Sequence, residues 1–119
     1  MTSLQWHTER VREHLHREIT WTITNKVNDP RIPHIVTVTE IKLAPDLRNA
    51  TVFVSVFGND EQKGKAHIAL NGAASFIQRC VAARIKIKHT PKLIFKIDSS
   101  LDRSEHINSL LEQVKDDLV

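Results

Sequence analysis

The sequence contains few of the residues that define several common protein classes. Its 119 residues include one cysteine, Cys80, which excludes an intrachain disulfide and is typical of a reducing compartment. Only three glycines and four prolines are present, too few for a low-complexity or extensively disordered chain. No apolar run approaches the roughly 20 residues that a transmembrane helix needs. We therefore expect one domain, residues 1–119, in the cytoplasm and outside the membrane.

Motifs for catalysis and for metal binding are also missing. The sequence has no HExxH or CxxC pattern, no phosphate-binding glycine loop and no G-x-S-x-G elbow. His7 and His14 lie near one helical face and His16 points elsewhere, but no further ligand at a suitable spacing joins them. These histidines are predicted to face solvent or phosphate, and Cys80, on an apolar helix face, is predicted to be core. We therefore predict no enzymatic activity, no cofactor and no metal.

The charge is unevenly distributed along the chain. The net charge is +3, yet residues 1–62 carry seven Lys and Arg against eight Asp and Glu. Residues 63–103 carry nine cations against two acids, and residues 104–119 carry one cation against four acids. A concentrated basic stretch indicates a surface that binds a polyanion, although a solvated basic face with no partner is an equal alternative from charge alone.

Hydrophobic spacing predicts three helical regions. The first spans residues 3–26, and although Ile19–Thr24 is rich in β-branched residues typical of strands, an apolar stripe continues through it. The second spans residues 61–83, and Gly72 and Ser75 predict a kink in its middle. A closing helix is predicted over residues 105–118. The stripe of the first helix repeats every four residues, at Val11, Leu15, Ile19 and Ile23.

Three strands are predicted between these helices. The first spans residues 35–43, and its apolar alternation shifts near Thr39-Glu40, which indicates a bulge. Residues 44–49 form a turn, and the second strand spans residues 50–57 with apolar side chains on both faces, as expected for an inner strand. The third strand covers residues 93–97.

The predicted order is thus α-β-β-α(kink)α-β-α, an α+β fold with a three-stranded sheet packed against helices. The helical crossover between the second and third strands predicts that they are parallel, with a right-handed connection. The order of the strands in the sheet stays open.

The basic stretch predicts where RNA would bind. At about 100° per residue, Arg79 and Lys86 lie opposite the apolar face of the second helical region and its continuation, and the small Ala82 and Ala83 beside them would let an RNA backbone approach. Four phenylalanines, Phe53, Phe57, Phe76 and Phe95, occupy core-like positions, so stacking of bases on exposed aromatics is not expected. About half of the candidate phosphate contacts are expected to matter; the candidates are Lys63, Lys65, Arg79, Arg84, Lys86, Lys88 and Lys92.

Short stretches between about residue 9 and residue 110 resemble the ribosome-binding factor A family. Each stretch is weak alone, but they fall in the family's order and at its spacing. They are Glu9-Arg10-Val11, Asp29-Pro30-Arg31, Val36-Thr37-Val38-Thr39, Pro45-Asp46-Leu47, Val54-Ser55-Val56, Leu70-Asn71-Gly72-Ala73-Ala74-Ser75-Phe76-Ile77, Pro91-Lys92-Leu93-Ile94-Phe95 and Asp98-Ser99-Ser100.

The resemblance implies a type II KH-like domain. KH domains clamp single-stranded RNA with a Gly-x-x-Gly loop between two helices, whereas the family has an Ala-x-Gly kink there. In this sequence Ala73, Ala74 and Ser75 match the kink, with serine in place of the family's glycine and Gly72 just upstream. The family's longer charged C-terminal tail is short or missing here.

The resemblance also implies a function. Members bind the free small (30S) subunit and its 16S rRNA, assist late assembly and rRNA processing, support growth in the cold and catalyse no known reaction. We therefore expect a monomeric, non-catalytic maturation factor with those partners and, in addition, other assembly factors. The alternative is a KH-like protein-interaction or general RNA-binding module that is not specific to the ribosome, acting through the acidic last helix or the Trp6 and Trp21 region.

Overall fold

The computed structural model describes residues 3–33, 36–85 and 89–98, with side chains from residue 8 onward. Within these ranges the elements are α1 (Ser3–Asn25), β1 (Val36–Leu43), β2 (Asn49–Val56), α2 (Asp60–Gly72), α3 (Ala74–Arg84) and β3 (Lys92–Ile97). This order confirms the predicted α+β architecture and its interrupted second helical region. The predicted closing helix over 105–118 lies outside the described residues. None of the helices in the described ranges is long and apolar enough to cross a membrane.

The three strands form one sheet in the order β1-β2-β3. β1 pairs with β2 antiparallel and β3 pairs with β2 parallel, so the predicted parallel pair is confirmed. β2 occupies the centre, as its apolar residues on both faces indicated. The order that the sequence left open therefore follows chain order.

The bulge in β1 is present where the alternation shifts. The pairing register slips between Val38 and Glu40, so Thr39 is the extra residue. Its hydroxyl Oγ1 donates to Oδ2 of Asp98, just after β3, at 2.6 Å. The bulge thus lets the Thr39 side chain of β1 reach across β2 to the residue that follows β3.

The core lies between the helices and one face of the sheet. The α1 stripe is buried, with Leu15 and Ile19 fully so, and β2 and β3 contribute Val52, Val54 and Phe95 from the sheet. Burying each such side chain stabilises the fold by about 1.5–3 kcal/mol.

The β-branched end of α1 stays helical because it participates in this core. Ile23 is buried, and the fully buried Thr22 donates its hydroxyl to the Glu18 carbonyl at 2.7 Å. Thr24 makes the same bond to the carbonyl of Thr20 at 2.9 Å. Hydroxyls that bond to the carbonyl four residues earlier are satisfied within the helix, so burial of the stripe outweighs the strand preference of this segment.

Two apolar side chains on the helices lie outside the core, and one of them, Cys80, was predicted to be in it. Ile68 is 66% exposed, because α2 buries Ala66, Ala69 and Leu70, which centre on the opposite side of the helix at about 100° per residue. Cys80 is only partly buried, since the core-facing positions of α3 are Ile77 and Val81. In both helices the apolar pattern is broader than the face that the sheet covers.

A capping box starts α2, which the sequence analysis missed. Oδ1 of Asn59 accepts from the Gln62 amide at 2.8 Å, and Oε1 of Gln62 accepts from the Asn59 amide at 2.9 Å. The preceding Gly58 has φ +148°, and a Cβ there would lie 2.6 Å from Oε1 of Gln62. The β2–α2 connection therefore needs glycine at this position.

Candidate nucleic-acid interface

The helix break lies at Ala73, between α2 and α3. Ala73 has φ −93° and ψ 0°, and its amide reaches the carbonyl oxygens of Ala69 at 3.0 Å and Leu70 at 3.2 Å. This conformation is open to any residue, so a glycine is not required for the break. Ser75 is exposed in the first turn of α3, and a Cβ on Gly72 would meet nothing within 4 Å. The serine in place of the family's glycine is thus compatible with the break.

The candidate phosphate contacts do not share one surface. Lys63 and Lys65 lie on α2, and Arg79 lies on α3 on the side away from its buried Ile77. Lys92 instead lies on β3 with Leu93 buried beside it, so its side chain is on the face of the sheet that the helices leave open. Ile85 is extended and buried after α3. Lys86 and Lys88 are outside the described residues.

The cations of the helical layer differ in how freely they can meet a phosphate. Lys65 pairs with Glu61 at 3.2 Å, one turn earlier on α2. Arg79 is exposed and has no ion-pair partner within the described ranges. Solvent-exposed ion pairs contribute only about 0–1 kcal/mol, so Lys65 can exchange its partner at little cost. Arg79 is the candidate best placed to bind phosphate.

Arg84 joins α3 to α1. Its Nε donates to Oε2 of Glu18, and its guanidinium lies 3.9 Å from the centre of the Trp21 ring. Lys26 lies over the same ring at 5.8 Å. Arg84 is the last residue of α3. The charge of Arg84 is thus paired with Glu18 and stacked on Trp21. The Trp21 ring, at 36% exposure, is partly covered by Arg84 and Lys26.

Two of the four phenylalanines are on the surface, which corrects the prediction that all four are core. Phe95 is fully buried and Phe53 is partly buried, but Phe57 is 80% exposed and Phe76 is 40% exposed. β2 ends at Val56, so Phe57 falls in the connection to α2. Phe76 lies on α3 on the side that the core does not cover. Exposed aromatic rings on which a base can stack are therefore present.

Side chains from the helices bond to the backbone of both outer strands. Asn71, in the last turn of α2, brackets Phe95 of β3: its Nδ2 donates to the Phe95 carbonyl at 3.0 Å and its Oδ1 accepts from the Phe95 amide at 2.8 Å. His67, one turn earlier, bonds through Nε2 to the same carbonyl at 2.8 Å. On the other edge Nε2 of His16 bonds to the Val38 carbonyl at 2.8 Å.

His14 and His16 are exposed, as predicted, although His16 also bonds to a strand carbonyl, and the half-buried His67 is turned toward the sheet. Because a carbonyl oxygen only accepts, Nε2 of His16 and of His67 carries the proton. The spacing of four between His67 and Asn71 was visible in the sequence, but nothing local showed that both would reach an outer strand. Within the described ranges no group of three metal-binding side chains is present.

The segment after α1 holds a preorganised ion pair. Nε and Nη2 of Arg31 contact the two carboxylate oxygens of Asp29 at 3.0 and 2.7 Å, and the Arg31 amide adds a bond at 2.9 Å. These bonds from Arg31 lower the pKa of Asp29 from 3.8 to about 2. Arg31 also lines a small cavity of about 150 Å³ together with Phe57 and Lys65.

Comparison with known proteins identifies the family. The model of ribosome-binding factor A matches residues 7–111. The chain is 39% identical to ribosome-binding factor A of Clostridium novyi over 107 residues, covering 90% of this chain and 88% of that protein. It is 40% identical to that of Clostridium perfringens over 109 residues, covering 91% and 94%.

Solved structures agree with the sequence relatives. The crystal structure of ribosome-binding factor A from Thermus thermophilus superposes with a TM-score of 0.66 at 26% identity, covering 75% of this chain and 92% of that one. A Thermus thermophilus model fitted into the cryo-EM map of a 30S complex superposes with a TM-score of 0.57 at 25% identity, covering 77% and 91%. These neighbours are consistent with the KH-like fold. The chain belongs to the ribosome-binding factor A family.

Proposed function

We propose that this protein binds the free small (30S) ribosomal subunit through its 16S rRNA and assists late subunit assembly and rRNA processing without catalysing a reaction. The observation that carries the proposal is the family match along residues 7–111, together with a structural relative that was fitted into a 30S complex. We further propose that it acts in the cytoplasm as a monomer of one domain. On the subunit, this protein would then contact other assembly factors.

The helical layer around the break supplies the proposed RNA contact. Arg79 projects from α3 without an ion-pair partner within the described ranges, and Ala82 and Ala83 beside it are small and exposed. Lys63 and Lys65 lie on the other side of the break. Cations next to small side chains let a phosphate backbone approach closely, and each phosphate contact adds affinity that salt weakens.

The test is co-sedimentation with purified small subunits, large subunits and assembled ribosomes over a salt series. We expect binding to free small subunits alone, weakened by salt and by Arg79→Glu. The matched control is Arg10→Glu, which makes the same charge change at an exposed position of α1. Equal binding to all three particles, or binding that salt does not affect, would instead indicate a general RNA-binding or protein-interaction module.

A further inference from the structure

The face of the sheet that the described helices leave open carries an aromatic ring among lysines. Phe53 lies at its centre on β2, only partly buried, with Lys42 5.3 Å above the ring centre. Lys96 is the register partner of Phe53 on β3. On the next row Thr51 lies between Lys42 and Ile94, which is 42% exposed. We call this set, with Lys92, the open-face platform: Lys42, Thr51, Phe53, Lys92, Ile94 and Lys96.

The lysines of the platform are available to a ligand. Within the described ranges Lys42, Lys92 and Lys96 have no ion-pair partner, and all three are exposed. Two acids also belong to this face: Glu40 is the register partner of Phe53 on β1, and Asp98 follows β3 and accepts a hydrogen bond from Thr39. Three lysines against these two acids leave the face with a net positive charge around its apolar centre.

This combination matches single-stranded RNA. Unpaired bases stack on aromatic side chains presented by a sheet, while nearby cations meet the backbone phosphates. Lys42 lies over the Phe53 ring and is exposed, so its flexible side chain can move aside for a stacked base and meet the phosphate of that nucleotide. Three strands span about 10 Å, enough for two or three nucleotides by comparison with other sheet-borne RNA sites.

We propose that the open-face platform binds a short single-stranded segment of rRNA, with one base stacked on Phe53 and phosphates at Lys42 and Lys96. The proposal rests on the proposed function and extends it. Arg79 and the platform lie on opposite sides of the sheet, so one RNA segment cannot contact both without crossing an edge. The protein therefore holds two separate RNA segments, one at the helix break and one on the sheet.

The first experiment measures binding of a fluorescent single-stranded oligouridylate and of purified small subunits by the full chain. Phe53→Leu is expected to weaken oligonucleotide binding by about 5-fold or more, because stacking on an aromatic ring supplies roughly 5- to 150-fold per base. Lys42→Gln/Lys96→Gln is expected to lower the slope of log affinity against log salt by about 1.4, at about 0.7 per lost phosphate contact on a single strand.

The matched control removes one exposed cation from α1 and one directly after it, as Arg10→Gln/Lys26→Gln, and is expected to leave affinity and slope unchanged. Unfolding curves of each variant separate loss of binding from loss of structure, since Phe53 is partly buried. A second readout is stoichiometry: two differently labelled oligonucleotides are expected to bind one protein together, and Arg79→Glu is expected to remove only one of them.

The possible outcomes separate this proposal from the proposed function. If the wild-type chain binds no small subunit, the proposed function fails. If subunit binding is normal and the platform variants match wild type in affinity and salt slope, the platform proposal alone is overturned. If the variants lose subunit binding but bind the oligonucleotide as wild type does, the face docks a ribosomal protein, and the RNA assignment is wrong.

Discussion

Asn71 is predicted to be a principal link between the helix break and the sheet. Its side-chain amide makes two hydrogen bonds to the backbone of Phe95, at 2.8 and 3.0 Å, in the manner of a neighbouring strand. In Asn71→Ala both bonds are lost, and the Phe95 amide loses its partner while the carbonyl keeps His67 at 2.8 Å. The change therefore acts chiefly on one backbone donor at the outer edge of β3.

The expected loss of stability in Asn71→Ala is the balance between lost hydrogen bonds and a gain in helix propensity. A hydrogen bond contributes about 0.5–1.5 kcal/mol net, so two bonds contribute about 2 kcal/mol. Alanine is the better helix former, by about 0.6 kcal/mol relative to asparagine, which offsets part of the loss. We expect Asn71→Ala to lower the free energy of unfolding by about 1.4 kcal/mol net of that offset. This corresponds to a fall in Tm of about 5 °C for a domain of this size.

The assay is urea denaturation followed by tryptophan fluorescence, with amide hydrogen exchange at Phe95 as the local readout. Asn71→Asp keeps the acceptor for the Phe95 amide and loses only the donor, so its Phe95 amide is expected to stay protected. The control is Asn25→Ala, whose side chain, among the described residues, bonds only to the Trp21 carbonyl of its own helix, at 2.9 Å. A loss below about 0.4 kcal/mol, together with unchanged exchange at Phe95, would refute the reasoning, because two bonds contribute at least about 1 kcal/mol and the helix offset removes about 0.6 kcal/mol of it.

Three further predictions concern the connections around the core. Arg84→Ala is expected to cost about 1 kcal/mol, and a double-mutant cycle with Trp21→Leu to show about 0.5–1 kcal/mol of coupling; additive effects would show that the stacking contributes nothing. The Asp29 carboxylate, whose pKa Arg31 lowers to about 2, stabilises the fold above pH 3.8, and this contribution is lost as the pH falls toward 2. In Arg31→Gln an NMR titration is expected to return that pKa toward 3.8, and an unchanged value would contradict the assigned cause. Gly58→Ala is expected to destabilise by about 1–3 kcal/mol in thermal unfolding, because φ +148° disfavours a side chain; wild-type stability would mean that the connection adapts freely.

The elements of the fold follow from local sequence because their signals are local. The stripe of α1 repeats every four residues, so it indicates a helix whatever lies against it, and its members are buried as predicted. The change of alternation at Thr39-Glu40 marked the bulge, and the two-sided apolar pattern of β2 marked the central strand. The break at Ala73 was predicted within a few residues, since small residues interrupt the apolar pattern there.

Exposure was harder to predict, because it depends on what another element covers. Phe57 has the composition of a strand residue, yet β2 ends one residue earlier and the ring is 80% exposed. Ile68 fits a helical apolar pattern, but the alanines of α2 let the opposite side approach the sheet. Which side of a helix is buried depends on the packing of segments distant in sequence, and the periodicity of the helix alone does not predict it.

The sequence by itself determined the family, the order of elements and the basic character of residues 63–103. These properties are local patterns or sums over composition, and no long-range contact enters them. Only the tertiary structure decided the β1-β2-β3 order and the bonds from Asn71 to Phe95, which join residues 24 apart. It also placed Lys92 on the open face of the sheet and Arg79 in the helical layer. The side chains of β3 alternate between the two faces of the sheet, and the packing of α3 turns Arg79 away from the core, so charges of one basic stretch lie on opposite sides of the sheet.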